Sequence, residues 1–189
     1  MNQLAVPASI PASATPEGDG IIVGGGQVTV DAFIDFLCPF CRQFELSAGP
    51  ALEAMVADGL IRLVQHPMAF LDEASTTRYS SRAAAASGCA SDSGKFTEYA
   101  KSLFVNQPAE GGPGLDDEEL AELARSVGLT GPAVTQCLLT GKYLDWPRYV
   151  TEKAMTRGVE ATPTVFVDGV QVAPSPRAIT AAVTAASPP

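Results

Sequence analysis

The chain has 189 residues, 46% hydrophobic and 17% charged, with 21 acidic side chains against 12 basic ones and a net charge of −9. That length and apolar content suit a globular protein with a sizeable core and exclude global disorder. The acidic balance argues against nucleic acid as a partner, because phosphate binding needs clustered Lys and Arg, and no apolar run approaches the ~20 residues that span a bilayer.

Residues 1–19 are rich in Ala, Pro, Ser and Gly, with Pro7, Pro11 and Pro16 spaced through them. Such a segment has little apolar surface to offset its ordering entropy and predicts a flexible leader. It lacks the positive start and unbroken apolar core of a signal peptide. It reads either as a frayed terminus or as a tether to a signal or anchor outside this chain. Gly20 to Gly26 predicts a short edge strand and turn, and Val28 to Leu37 is apolar enough for a buried strand.

Cys38-Pro39-Phe40-Cys41 follows at once, and from Arg42 to Ala57 the residues Phe44, Ala48, Ala51, Leu52 and Met55 keep helical spacing. A strand running into Cys-x-x-Cys that opens a helix places Cys38 at the helix N-terminus. There, unpaired N–H groups and the helix dipole favour an anion, so Cys38 reads as a thiolate nucleophile. Cys41, one turn further in, is placed to close a disulfide with it. A zinc site is the other use of this spacing, but it needs a second close pair of ligands. Here Cys89 and Cys137 stand alone, and the only histidine is His66. The motif therefore reads as a redox-active dithiol, with no metal and no organic cofactor.

Pro50 removes a helical hydrogen bond and predicts a kink near Leu46 to Gly49. Leu60 to His66, after an Asp58-Gly59 turn, predicts the second core strand, completing a strand–helix–strand unit. His66, at a strand end before Pro67, reads as structural. From Asp72 to about Arg157 the pattern is helical: an Ala-rich segment around Ala83 to Ala86, a stripe of Phe96, Tyr99, Ala100, Leu103 and Phe104, and a Pro/Gly loop. An acid-led helix from Leu115 to Gly128 follows, then helices over 131–139 and 143–157, the last packed by Tyr143, Trp146 and Tyr149. Pro163 to Val172 predicts a hairpin turning at Asp168-Gly169, and Ser175 caps a closing helix. The order is α/β with an all-helical insertion: a leader over 1–19, one domain from 20–71 plus 158–189, and an insertion over 72–157.

The run Asp35-Phe36-Leu37-Cys38-Pro39-Phe40-Cys41, followed far downstream by Gly158-Val159-Glu160-Ala161-Thr162-Pro163-Thr164, resembles the thioredoxin superfamily. More narrowly it resembles the DsbA-like thiol:disulfide oxidoreductases of the bacterial cell envelope, actinobacterial ones in particular. The resemblance implies a thioredoxin fold with an inserted all-helical domain. It also implies a cis Thr162–Pro163 bond against the dithiol, and substrate contacts at Pro39, Phe40, Thr162 and Pro163. An extended substrate chain would pair with backbone groups of Thr162. The implied protein is a monomer outside the cytoplasm, tethered or free. It would oxidise reduced or unfolded exported proteins and be reoxidised by a membrane-bound partner.

Two departures from the family stand out. Relatives often carry a buried acid six residues before the first cysteine, where this chain has Ala32; strand alternation puts Asp31 and Asp35 on the opposite face. Strong oxidants of the family have His where this chain has Phe40, which predicts a weaker oxidant. Cys89 and Cys137 are expected to form a structural disulfide, the alternative being two separately buried thiols. Two rival functions remain: a disulfide reductase or isomerase with the same chemistry, and a peptide-binding module with structural cysteines.

Overall fold

A computed structural model describes residues 4–187 of the chain. The described residues form one five-stranded sheet in the order β1 (Ile21–Val23), β3 (Ile61–Pro67), β2 (Val28–Ile34), β4 (Thr164–Val167), β5 (Val170–Val172). Only the β2–β3 pair is parallel, running in register from Val28 opposite Ile61 to Ile34 opposite Pro67. Its connection is α1 (Pro39–Ala57), which turns Cys41, Phe44, Ala48, Leu52 and Met55 into the core. The helix runs unbroken through Pro50. β2 lies at the centre of the sheet and is covered on both faces, which is why its sequence is almost continuously apolar.

Five α-helices fall between β3 and β4: α2 (Tyr79–Asp92), α3 (Phe96–Val105), α4 (Asp117–Ser126), α5 (Pro132–Thr140) and α6 (Trp146–Thr156). α2 is buried along nearly its whole length, because Ala, Ser and Gly side chains let α3, α5 and α6 approach its backbone closely. α4 begins with a capping box: Asp116 accepts from the Glu119 N–H at 2.8 Å and Glu119 accepts from the Asp116 N–H at 2.8 Å. α7 (Pro176–Ala186) closes the chain against α1 and β4, capped by the Ser175 hydroxyl.

The leader differs from its expectation. Met1 to Gln3 lie outside the described residues, but Ile10 packs on the core, Ala14 bridges to Ile21, and Asp19 is buried. Trp146 donates its indole N–H to the Gly18 carbonyl at 2.8 Å, Tyr149 its hydroxyl to the Glu17 carbonyl at 2.8 Å, and the Ala12 N–H bonds Asp92 at 2.9 Å. Composition weighs only the segment's own apolar surface. The partners that order residues 10–19, an acceptor on α2 and two donors on α6, lie more than seventy positions away.

Candidate active site

β2 ends at Ile34, and the chain turns through Asp35, Phe36 and Leu37 before Cys38 takes the N-cap of α1 in an extended conformation. Pro39 fills the first helical position, where a missing N–H costs nothing. The Cys38 carbonyl accepts from the N–H groups of Cys41 at 3.1 Å and Arg42 at 3.2 Å, so both cysteines belong to one turn. Both are free thiols and both are buried.

Their environments pull them apart. The Cys41 thiol beside Cys38, reinforced by the N–H groups of Cys41 and Phe40 at the start of α1, draws the Cys38 thiol down to about 6 against the opposing effect of burial. For Cys41, burial and then the neighbouring Cys38 push the thiol far above its ordinary value. The pair is thus split, with one sulfur drawn toward the thiolate near neutral pH and the other keeping its proton.

The Thr162–Pro163 peptide bond is cis, and the loop that contains it faces the dithiol: Cys38 donates its thiol hydrogen to the Thr162 carbonyl at 3.3 Å. That contact requires the protonated sulfur, so ionisation of Cys38 releases the Thr162 carbonyl. Phe40 is 67% exposed. With Gln43, Ser47, Thr162, Pro163 and Pro174 it borders a groove of about 470 Å³ alongside α1.

Asp35 departs from the alternation argument. That argument holds for Asp31, which faces His66 and Arg157 on the other side of the sheet. It fails at Asp35 because the strand has ended one residue earlier, and Asp35 is 0% exposed. Its carboxylate accepts from the Leu37 N–H at 2.8 Å, the Leu71 N–H at 2.8 Å and the Ser80 hydroxyl at 2.7 Å, while its own N–H points at the Cys41 sulfur at 3.4 Å. Burial raises the Asp35 carboxyl to about 6 against the pull of those donors, and the nearby Cys38 adds to the rise. A buried acid therefore sits at the dithiol, contributed by the turn where the family pattern would take it from the strand. A second residue without a sequence signal is Gln107, whose amide reaches the carbonyls of Phe36 and Cys38.

The other singled-out residues lie elsewhere. Cys89 of α2 and Cys137 of α5 are joined by a disulfide inside the helical block. His66 stacks on Phe33 at 4.1 Å between ring centroids and contacts Asp31 Oδ1 at 2.8 Å and the Asp19 carbonyl at 2.6 Å. Burial opposes the charge on Asp31, but His66 and Arg157 hold its carboxyl below the ordinary range. Among the described residues, no three His, Cys, Asp or Glu side chains converge as a metal site, and no helix is long and apolar enough to cross a membrane.

A family model described as Thioredoxin matches residues 21–185. The reduced form of the disulfide bond oxidoreductase DsbG from Mycobacterium tuberculosis is 35% identical, with a TM-score of 0.79 over 92% of this chain and 90% of that one. Reduced DsbA from the same organism is 35% identical, with a TM-score of 0.78 over 88% of this chain and 91% of that one. The serine/threonine-protein kinase PknE of Mycobacterium tuberculosis is 33% identical over 166 residues, 82% of this chain. The match spans 29% of the length of that kinase.

Proposed function

The chain belongs to the thioredoxin family, in its DsbA-like branch, and on that premise we propose that it is a thiol:disulfide oxidoreductase that introduces disulfides into exported proteins. The observation that carries this reading is the split between the two thiols. A Cys38 drawn down to about 6 is a good leaving thiolate, and the dithiol product is stabilised relative to the disulfide.

In the oxidising direction a substrate thiolate attacks Cys38 Sγ of the Cys38–Cys41 disulfide. The S–S bond breaks, its electron pair goes to Cys41, and Cys41 takes up a proton, as its raised affinity demands. A second substrate thiolate attacks the substrate sulfur of the mixed disulfide and expels Cys38 as a thiolate. The substrate loses two electrons and gains a disulfide, and the enzyme holds the dithiol. Pro39 and Phe40 follow the attacked sulfur at the start of α1, and Thr162 and Pro163 take the substrate chain at the groove; the Thr162 carbonyl, which has no thiol hydrogen to accept when Cys38 is in the disulfide, is its hydrogen-bond acceptor. Cys89–Cys137 acts as a structural cross-link. A membrane-bound partner outside the cytoplasm takes the two electrons to restore the disulfide.

The experiment is equilibration in glutathione buffers. A potential near ~−120 to −180 mV supports oxidation or isomerisation, and one near ~−270 mV moves the assignment to a reductase. The kinase relative favours one further reading, a peptide-binding module appended to another activity, with the dithiol as a structural element. That reading requires low Cys38 reactivity toward a thiol reagent and unchanged peptide binding in Cys38→Ser.

A further inference from the structure

The turn that carries Cys38 is held from a distance. Residues 36–38 expose two backbone carbonyls, those of Phe36 and Cys38, toward the helical block. The side-chain Nε2 of Gln107 donates to both, at 2.9 Å each. A carboxamide nitrogen has two hydrogens, and here each has its own acceptor. The opposite orientation of the amide would set its oxygen against two carbonyl oxygens, so the network itself fixes which atom is nitrogen.

Gln107 belongs to neither α1 nor the sheet. It is the second residue past the end of α3 and is anchored by its N–H to the Phe104 carbonyl at 3.4 Å. Phe104 packs its ring on Phe36 at 5.0 Å between centroids. The last turn of α3 thus grips the same short segment through a ring and through an amide. On the other side, the Asp35 carboxylate holds the Leu37 N–H. The peptide planes that aim Cys38 Sγ at the N–H groups of α1 are clamped from both flanks.

We propose that Gln107 is a positioning residue for Cys38: its amide fixes the turn in the geometry that presents the Cys38 sulfur to the start of α1, and its two N–H dipoles offset the negative ends of the Phe36 and Cys38 carbonyls beside the developing thiolate. The proposal rests on the reading of Cys38 as the nucleophile. Without these donors the Phe36 carbonyl loses its partner and the Cys38 carbonyl keeps only the N–H groups of Cys41 and Arg42, both next to an anion, and the thiolate becomes costlier to form. Because the disulfide form carries no such charge, the same loss makes the protein a weaker oxidant.

The test is the pH profile of Cys38 alkylation by iodoacetamide in the reduced protein, for the wild type, Gln107→Met and Gln107→Glu. The methionine keeps the length and removes the donors; the glutamate turns a carboxylate toward the two carbonyls. The expected result is a midpoint raised by about half to one pH unit in Gln107→Met, a roughly three- to tenfold smaller thiol dissociation constant, with a larger shift in Gln107→Glu. At a pH above both midpoints, the equilibrium with glutathione shifts toward the protein disulfide by the same factor. A lowered melting temperature with an unmoved midpoint would overturn the proposal, since a purely structural amide affects folding alone. If neither variant folds, the side-chain amide protons of Gln107 in the wild type decide by NMR: they shift through the Cys38 midpoint if the proposal holds, and stay fixed if it fails. A wild-type midpoint at the ordinary thiol value refutes the catalytic reading of Cys38, and the proposal with it.

Discussion

The Asp35 carboxylate accepts the Ser80 hydroxyl at 2.7 Å, so the turn before the dithiol is bonded to the first turn of α2. The same carboxylate takes the N–H groups of Leu37 and Leu71. Three segments meet on one buried acid beside Cys38, and its charge acts on both stability and chemistry.

Asp35 binds its proton more tightly in the fold, with the carboxyl raised from 3.8 to about 6. A raised carboxyl lowers stability as pH climbs from about 4 to 6, because over that window the folded chain holds a proton that the unfolded chain has released. Above pH 6 its negative charge opposes the Cys38 thiolate. Asp35→Asn should therefore lower the Cys38 alkylation midpoint by about half to one unit and make the protein more oxidising. An unchanged or raised midpoint would show that the Asp35 charge does not reach the sulfur.

Cys38 has the opposite sign. Its folded value of about 6 lies below the ordinary 9.0, so the thiolate stabilises the reduced fold fully above pH 9 and loses that contribution as pH falls through 6. Urea unfolding of reduced wild type and Cys38→Ser should give a stability difference that is small at pH 5 and grows through pH 7 and 8. A difference independent of pH removes the low-lying thiolate from the account.

The Cys89–Cys137 bond closes a loop of 48 residues. By loop-closure entropy it contributes about 4 kcal/mol. The Cys89→Ala, Cys137→Ala double variant should lose about that much in denaturant unfolding while keeping the Cys38 alkylation profile. A loss under about 1 kcal/mol would mean that the unfolded chain gains little freedom when the link is cut.

Two adjacent glycines make a sharp pair. A Cβ on Gly26 would lie 2.3 Å from backbone atoms of Leu60 and Ile61, where the chain enters β2 beside the start of β3, whereas one on Gly25 meets nothing within 4 Å. Gly26→Ala should cost more than about 2 kcal/mol, and Gly25→Ala should stay within about 0.5 kcal/mol. Equal effects in thermal melts would contradict the close strand approach.

What the sequence determined by itself is what local chemistry encodes within a few residues. The apolar run of β2, the helical spacing after Cys41, the acid-led start of α4 and the Ser175 cap are all short-range signals, and together they specify an α/β chain with helices set between strands. Cys38 at the mouth of α1 is legible for the same reason, because Cys-Pro-Phe-Cys sits where a strand pattern becomes a helix pattern. Tertiary structure alone decided the rest. Asp35 is buried because β2 stops one residue short of it and α2 supplies Ser80 from 45 positions away. Gln107 is an ordinary loop residue until the end of α3 is folded against residue 36, 71 positions earlier. Residues 10–19 look disordered by composition, yet α2 supplies an acceptor and α6 the donors that hold them. Periodicity and capping report only on neighbours along the chain; a buried polar group finds its partners across the fold, where desolvation forces every donor and acceptor to be matched.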